Sequence, residues 1–570
     1  METLGTVISA VKGYVWDWGI PVGDSDIPLV VIALIGTGVF LTLRLGPIQL
    51  RHFGHGVAVA TGRYDDPQST GDVSHFQALT TALSATVGIG NIAGVALAIH
   101  WGGPGALVWM WLTAILGMAT KYAEVTLSMH YRSVHQDADK VVGTVSGGPM
   151  YYIEHGLGAN WKWMAMFFAG MLGFTAFLTG NAIQANTIAD TLQTEVGINP
   201  WITGAVLAVI VASVILGGIK RIGRITSILA PLMAAIYVLC ALLIVLLNFS
   251  DVIPAFGTIF REAFSPTAGA AGTGVGAILV TMTYGVNRGL FSNEAGQGSA
   301  PIAHAAAKTE EPVSEAVVAL LGPFIDTIVI CTMTALVIVV TGVYSERVPT
   351  EITLGGGDLS WVSGDAGVGY EDVAAPAEIL IQNGTHAAGS AVFVAWHEVA
   401  LETLYTDEGR TQAFTGSVFP ARGEAVDDEG NVYVSLWGMA IESGAPLTTY
   451  AFRTGLSPLG DWGHFVVIFS VLLFGISTAI AWSYYGDRCA IYLFGEGAVV
   501  PYKVVYLIMH LLGAGVVGAA GISLVWDLGD IALGIVILPN LIALVLLSGK
   551  IKELTDDYFE RKPWKTSGKV

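Results

Sequence analysis

The sequence contains little charge for its length. Only 12% of its 570 residues are Asp, Glu, Lys or Arg, whereas a soluble protein of average composition carries about a quarter. Hydrophobic residues make up 53% of the chain, and the mean hydropathy is +0.64. This composition excludes an ordinary soluble globule and predicts an integral membrane protein embedded in a lipid bilayer.

Basic residues and cysteines are scarce as well. Lys and Arg number 26 against 45 acidic residues, which gives a formal net charge of −19 and excludes nucleic-acid binding. The three cysteines form no disulfide framework and no metal-binding spacing (Cys240, Cys331 and Cys489). The histidines that fall in apolar stretches lie far apart, without a nucleophile or paired carboxylates, so we expect no enzyme. No protein partner is evident.

Apolar stretches long enough to cross a bilayer recur along the chain. They predict an all-α membrane protein with about eleven transmembrane helices: 27–43, 77–99, 105–130, 162–190, 199–219, 225–249, 270–306, 314–344, 462–485, 503–525 and 530–549. If the N-terminus lies outside the cell, 18 basic residues fall in cytoplasmic segments and six in outer ones. This positive-inside bias predicts a multi-pass protein of the plasma membrane with a cytoplasmic C-terminus.

The polar segments divide the chain into regions. Residues 1–26 are predicted to form an N-terminal extracellular or interfacial segment containing an amphipathic helix with Trp16 and Trp18 at headgroup level. Residues 345–460 carry 16 acidic and four basic residues. Their length and their β-forming stretches predict an acidic extracellular insert with short strands. Residues 550–570 form a cytoplasmic tail.

The remaining spans suggest a five-plus-five inverted repeat, residues 77–249 and 270–549, preceded by an extra helix at 27–43. Glycines and polar residues interrupt one hydrophobic span in each half, at 88–94 and 285–298. Interruptions at corresponding positions of two repeats predict a substrate site near the middle of the membrane. The alternative is that these glycines only permit close helix packing.

Three groups of residues could carry transport chemistry. The stretch 86–91 would free backbone N–H groups for a carboxylate and carbonyl groups for a small cation. Asn181 and Gln184 share one helical face, where they contact either a ligand or a neighbouring helix. Ser477 and Thr478, with the carbonyl of Phe474, offer hard oxygen ligands for sodium, although such hydroxyls often bond their own helix.

Charged side chains within spans are expensive and need partners. We expect Glu124 to accept hydrogen bonds from unwound backbone. Arg288 is expected to pair with Glu294 or Asp326.

Residues 102–117 (GGPGALVWMWLTAILG) closely resemble the signature of the sodium:alanine symporter family, also called alanine/glycine:cation symporters. Residues 86–95, 285–302 and 477–486 resemble it too. The resemblance implies the leucine-transporter-type fold, with substrate contacts at Thr86, Ile89, Gly90, Asn91, Gln184, Gly285, Val286 and Trp482; Asn181 is a further candidate. It also implies sodium ligands at the carbonyls of Ser84, Val87 and Phe474 and the hydroxyls of Ser477 and Thr478. The segment 345–460 is longer than expected for the family.

The expected function is therefore secondary active transport, in which inward sodium flow drives uptake of a small neutral amino acid, alanine or glycine. Sodium would be co-transported. A proton-coupled amino-acid symporter on the same fold is the nearest alternative. A membrane-embedded receptor or channel is a more distant one, because two broken helices favour alternating access over a fixed pore.

Overall fold

A computed structural model describes residues 2–16, 18–22, 25–66, 68–135, 145–265, 275–355, 359–365, 369–387, 391–396, 399–516 and 520–565. Parts of the predicted segments lie outside these ranges. They are residues 1, 17 and 23–24 of the N-terminal segment, 270–274 and 517–519 of two spans, 356–358, 366–368, 388–390 and 397–398 of the acidic segment, and 566–570 of the tail.

The described chain is mostly helical. The helices of the first half are α1 (Glu2–Trp16), α2 (Leu29–Leu45), α3 (Ile48–Arg51), α4 (Phe53–Ala60), α5 (His75–Thr86), α6 (Val95–Gly102), α7 (Ala106–His130), α8 (Pro149–Leu157), α9 (Lys162–Phe177), α10 (Ile183–Val196), α11 (Pro200–Ile215), α12 (Gly218–Leu247) and α13 (Phe249–Glu262). Those of the second half are α14 (Val275–Asn293), α15 (Ala300–His304), α16 (Pro312–Ala319), α17 (Leu321–Pro323), α18 (Thr332–Thr341), α19 (Gly444–Leu456), α20 (Gly463–Phe494), α21 (Val499–Gly515), α22 (Ala520–Leu546) and α23 (Ser548–Arg561).

Short π-helical and 3₁₀ turns lie between the regular elements. The π-helical turns are Gly90–Gly94, Leu178–Ala182 and Phe324–Cys331, and the 3₁₀ turns are Ala159–Trp161, Val343–Ser345, Pro420–Arg422, Ser457–Leu459, Glu496–Ala498 and Pro563–Lys565.

Seven helical stretches in the described part are long and apolar enough to cross a membrane: Ala106–His130, Ala159–Val196, Gly218–Leu247, Pro312–Thr341, Gly463–Phe494, Glu496–Gly515 and Val525–Leu546. The bent pair α5–α6 would be an eighth, and α2 and α11 are shorter apolar helices. The chain is thus a mostly helical, multi-pass membrane protein. The count of eleven spans and the inverted repeat remain predictions.

The first predicted interruption separates α5 from α6, which are bent by 56°. A capping box at Ser74 starts α5. The helix ends where Val87 turns extended, with φ −74° and ψ 94°. The chain then resumes as the π turn Gly90–Gly94. A π turn leaves backbone groups without their usual partners, and such turns are frequent at functional sites.

The second interruption lies later in the chain than the glycine at 285 suggested. Helix α14 is continuous to Asn293, and the break follows at Glu294, where φ is +55°. Gly296 and Gly298 also have positive φ values, of 91° and 77°, which only glycine adopts without strain. As expected, the buried Glu124 carboxylate accepts hydrogen bonds from unwound backbone, here the N–H groups of Gly296 and Gly298, both at 3.1 Å.

The last two spans differ from the prediction at their shared boundary. The predicted turn, between 525 and 530, falls inside the continuous helix α22. Lys12 pairs with both Asp527 and Asp530, at 2.8 and 3.0 Å. Gly529 packs beneath the Thr179 hydroxyl. Residues 525–530 are therefore held within the helix.

Strands are concentrated between 348 and 440. Outside this region lie β1 (Gly19–Val22) with β2 (Ser25–Pro28), and β3 (Ser133–Val134) with β4 (Val145–Ser146). Within it lie β5 (Val348–Thr353), β6 (Leu359–Asp365), β7 (Gly369–Asp372), β8 (Ile379–Gln382), β9 (Thr385–His386), β10 (Phe393–Trp396), β11 (Val399–Ala400), β12 (Leu404–Tyr405), β13 (Gly416–Phe419), β14 (Glu424–Asp427), β15 (Val432–Tyr433) and β16 (Ser435–Ala440).

The strands within this region form three antiparallel sheets, ordered β11-β10-β6-β7, β12-β16-β5 and β15-β14-β13-β8-β9. Strand β16 alternates partly exposed and buried residues along its length. The buried faces meet in a small apolar cluster that includes Ile352, Phe414 and Leu436. The short strands predicted in the acidic segment are therefore present and share a core of their own.

The N-terminal helix α1 lies against α22. Gly534 permits this close approach, because a Cβ there would lie 2.4 Å from Val15. The Trp16 indole N–H donates to the carbonyl of Asp530 at 3.0 Å, and its ring lies 5.3 Å from that of Phe291. Trp16 is buried against the helices, whereas Trp18 is 63% exposed; their position at headgroup level stays a prediction.

The Glu124 carboxylate should determine the stability of the second break. Glu124→Ala would leave two buried N–H groups, and the Asn540 amide at 2.6 Å, without their acceptor, at about 1–3 kcal/mol for each buried group. We expect a clear fall in the melting temperature of the purified protein. Glu553→Ala, which removes an exposed carboxylate paired with Lys550, is the matched control and should change it little. Equal melting temperatures for the two variants would contradict this role.

Candidate functional site

A cavity of about 250 Å³ lies where the two broken helices meet. Helices α5, α6, α10, α14, α20, α22 and α1, with the break after α14, contribute its walls. Its lining residues are Lys12, Ala85, Thr86, Gly88, Ile89, Gly90, Ala93, Gly94, Leu97, Thr179, Ile183, Gln184, Arg288, Phe291, Glu294, Gln297, Thr478, Trp482, Trp526, Asp530 and Leu533. Of the predicted substrate contacts, Thr86, Ile89, Gly90, Gln184 and Trp482 are among them.

The first break forms one wall of the cavity. A Cβ added at Gly90 would meet nothing within 4 Å, so the backbone here faces open space. Because α5 ends at Thr86, Ile89 and Gly90 stand at the start of a new helical segment, where N–H groups have no carbonyl one turn back. Such N–H groups at a helix start suit an anionic group.

Polar acceptors stand on the α10 side of the cavity. The π turn Leu178–Ala182 precedes this helix, and the Gln184 amide N–H donates to the carbonyl of Thr179 at 3.0 Å. That bond orients the amide. Among the described residues, the Gln184 Oε1 and Thr179 Oγ1 atoms are buried without a hydrogen-bond partner. Buried acceptors of this kind are costly unless a ligand or water bonds them.

Trp482 forms a rigid apolar wall. Its side chain is 2% exposed and packs on Gly180, where a Cβ would come within 2.3 Å of the indole ring. The Tyr485 ring lies 5.4 Å away, centroid to centroid. Only glycine at 180 leaves room for this packing, which restricts the indole in its place beside the cavity.

Oxygen atoms converge next to the first break. The carbonyl of Ser84 accepts from the Ser477 and Thr478 hydroxyls at 3.3 and 3.2 Å. Ser477 also donates to the carbonyl of Phe474 at 3.1 Å. These contacts link four of the predicted sodium ligands through Ser84 and Ser477.

The fifth predicted sodium ligand, Val87, is buried at the point where α5 ends. Its extended conformation turns its carbonyl away from the helical hydrogen-bond pattern. The described residues contain no group of three or more His, Cys, Asp or Glu side chains that could hold a metal ion. Hydroxyl and carbonyl oxygens are instead the donors available here, and hard cations prefer such donors.

Four predicted contact residues do not line the cavity in this conformation. Asn91 uses its side chain to accept from the Gly88 N–H at 2.8 Å and to donate to Asp326 at 2.7 Å. Asn181 donates to the carbonyl of Tyr506 and bonds His510. Both amides hold the helices around the cavity together.

The other two are Gly285 and Val286, which lie inside α14. A Cβ on Gly285 would come within 2.4 Å of the carbonyl of Ala106, and Val286 is fully buried. This part of α14 packs against α7 and does not unwind. Their predicted substrate contacts are not tested by this arrangement.

Sequence reasoning missed several cavity residues. Arg288 was expected to pair with Glu294 or Asp326, but it forms an ion pair with neither, and its guanidinium lies 5.6 Å from the Phe291 ring centroid. The Glu294 carboxylate accepts from Ser299 at 2.5 Å. One sequence pattern could have indicated this contact. Arg288 and Phe291 are three residues apart, so a helix over 285–294 places them on one face.

Lys12 and Asp530 were missed for a different reason. They come from opposite ends of the chain, more than 500 residues apart, and meet only in the folded protein. Burial opposes the charged form of Lys12, but Asp530 and Asp527 outweigh it and raise the pKa of the ammonium group. Lys12 therefore stays protonated and forms part of one end of the cavity.

Comparisons with known proteins agree with these features. The sequence profile of the sodium:alanine symporter family matches residues 1–365 and 431–569. The chain is 37% identical over 561 residues to the sodium/alanine symporter AgcS of Methanococcus maripaludis, covering 97% of each chain. The unmatched residues, 366–430, lie within the strand-rich region.

Two relatives from Bacillus subtilis cover most of the chain as well. The putative sodium/proton-dependent alanine carrier protein YrbD is 32% identical over 534 residues, 94% of this chain and 90% of its own. The probable sodium/glutamine symporter GlnT is 29% identical over 535 residues, 94% of this chain and 88% of its own. With the profile matching most of its length, the chain is a transporter, not an enzyme, and belongs to the sodium:alanine symporter family.

Proposed function

We propose that this protein couples inward sodium flow to the uptake of a small neutral amino acid, alanine or glycine, by alternating access. The observation that carries the proposal is the adjacency of two features at the first broken helix. Gly90 faces the cavity on one side of the break. The carbonyl of Ser84 meets the Ser477 and Thr478 hydroxyls on the other.

This adjacency provides the coupling. A sodium ion at the Ser84–Thr478 oxygens would neutralise carbonyl dipoles and hold the end of α5 against α20. A substrate carboxylate at the N–H groups of Ile89 and Gly90 would use the same break. Because both ligands favour one arrangement of the break, each should raise the affinity for the other, and linkage makes that effect reciprocal.

The cavity chemistry supports a zwitterionic substrate. Its lining contains two cations, Lys12 and Arg288, and two carboxylates, Glu294 and Asp530. The free acceptors Thr179 and Gln184 suit an ammonium group. Trp482 and the backbone at Gly90 both line the cavity and would border the substrate's side chain, which we propose to be no larger than a methyl or so. AgcS is named a sodium/alanine symporter, which favours alanine among small substrates.

Topology and repeats complete the proposal. Residues 77–249 and 270–549 would form two inverted five-helix halves after the extra helix 27–43. The N-terminal segment 1–26 and the insert 345–460 would lie outside the plasma membrane, and the tail 550–570 inside. The excess of basic residues in the segments assigned to the cytoplasm supports this orientation.

A proton-coupled symporter is the second candidate, because YrbD is named sodium/proton-dependent. The deciding experiment is uptake of labelled alanine into proteoliposomes under an inward sodium gradient, a proton gradient, or neither. We expect accumulation with sodium alone. Equal uptake with a proton gradient would favour the second candidate, and no gradient-driven uptake of any amino acid would reject both.

Thr478→Val should weaken sodium binding without disturbing the fold, because valine keeps the shape and removes only the oxygen. Loss of one ligand oxygen costs about 1–3 kcal/mol, which corresponds to roughly a five- to 150-fold higher sodium concentration for half-maximal uptake. Thr478→Ser keeps a hydroxyl, so its sodium concentration for half-maximal uptake should stay close to that of the parent. Titration of alanine uptake with sodium measures this concentration for both variants.

The control is Thr175→Val, which removes an equally buried hydroxyl that bonds the carbonyl of Met171 within its own helix. It should leave the sodium dependence unchanged. An unaltered sodium dependence in Thr478→Val would remove Thr478 from the sodium site.

Gly90→Ala should reduce the size of the substrate site. The added methyl meets no protein atom within 4 Å, so it projects into the cavity and the protein folds normally. Crowding by one methyl costs about 1–3 kcal/mol. The alanine concentration for half-maximal uptake should therefore rise roughly five- to 150-fold. The glycine concentration for half-maximal uptake should change less, because glycine has no side chain.

The control is Gly170→Ala, which adds a methyl at an exposed helical glycine with equally free space. It should change the half-maximal concentration of neither alanine nor glycine. Equal effects on both substrates would place Gly90 away from the side chain.

A further inference from the structure

Arg288 lies beside the second segment of the first broken helix. Its Cδ atom would be 3.8 Å from a Cβ at Gly94, and Gly94 ends the π turn that begins at Gly90. The guanidinium lies 5.6 Å from the Phe291 ring centroid. Both side chains line the cavity. Arg288 therefore stands about one helical turn away from Gly90.

The two carboxylates that were expected to pair with Arg288 are bonded to other groups. Glu294 accepts from Ser299 at 2.5 Å. Asp326 accepts from Ser292, Asn91 and Thr327 at 2.5, 2.7 and 2.9 Å.

At the far end of the cavity, Asp530 and Asp527 are paired with Lys12. Among the residues that the structure describes, Arg288 has neither an ion pair nor a hydrogen bond. Its only charge-dependent contact there is the cation–π contact with Phe291.

An arginine at membrane depth without an anion is expensive. Its planar fork of N–H donors matches a carboxylate, which it binds through two parallel hydrogen bonds. Since the side chain faces the cavity, the missing anion can come from a ligand. The stacking on Phe291 restricts the guanidinium and reduces the entropy lost when it binds.

We propose that Arg288 binds the α-carboxylate of the amino acid in the cavity, next to the first broken helix. This inference rests on the proposed function, since it assumes an amino-acid substrate. It adds a binding residue on the second broken segment, where the sequence predicted a structural ion pair. The bound carboxylate would accept from the Arg288 guanidinium as well as from the N–H groups at Ile89 and Gly90.

The test compares alanine with alaninamide, which keeps the ammonium and methyl groups and lacks the carboxylate. Binding of each compound to the purified protein in sodium buffer is measured by calorimetry. We expect the parent to prefer alanine and Arg288→Gln to lose about 10- to 100-fold of that preference, the range for a charged hydrogen-bonded pair. Arg288→Lys keeps the charge without the fork and should lie between the two. A merely structural role would weaken both compounds equally.

Arg422→Gln is the matched control, because Arg422 also stacks on a phenylalanine, at 4.9 Å from the Phe419 ring, but in the strand-rich region. Its preference should equal that of the parent. If Arg288→Gln does not fold, Arg288→Lys decides alone, and a parent-like preference in it would overturn the proposal. Unchanged preference in Arg288→Gln would overturn it too. Failure of the proposed function looks different, because the parent itself would then show no sodium-driven uptake.

Discussion

Backbone groups freed inside a membrane must find partners within the protein, and this requirement governs the whole arrangement. The second break is possible because the Glu124 carboxylate accepts the N–H groups of Gly296 and Gly298. The first break is stabilised by the Asn91 side chain, which accepts from the Gly88 N–H and donates to the Asp326 carboxylate. With these side chains in place, the break at Gly90 can leave its own polar groups directed into a cavity and available to ligands.

These two sets of hydrogen bonds also connect the first half of the chain with the second. Glu124 comes from α7 and reaches the segment after α14, whereas Asp326 comes from the π turn before α18 and reaches the segment after α5. Each broken segment is thus held by a carboxylate from a different part of the chain. Displacing either segment would therefore break hydrogen bonds to a buried carboxylate.

Much of the helical fold follows from the sequence, because long apolar runs have few alternatives in lipid. The break after Thr86 was predictable, since glycine and asparagine interrupt an otherwise apolar span. The position of the second break was not, because glycines at 285 and 289 permit close packing as well as unwinding, and only the helix contacts distinguish the two. The turn predicted near Asp527 failed because a lysine from the other end of the chain neutralises that helix. For the site, the sequence identified the hydroxyls of Ser477 and Thr478. It did not identify Lys12 and Asp530, because they lie at opposite ends of the chain and meet only in the folded protein.

The packing of α1 has a practical consequence. The N-terminus begins a helix whose Lys12 lines the cavity and whose Trp16 is buried against α22. An affinity tag or fluorescent protein fused there would load a helix that contributes to the cavity wall. The C-terminal helix α23 packs instead against α2, α7, α16 and α22, and it contributes no residue to the described cavity lining. Purification handles and reporters for transport measurements therefore belong at the C-terminus.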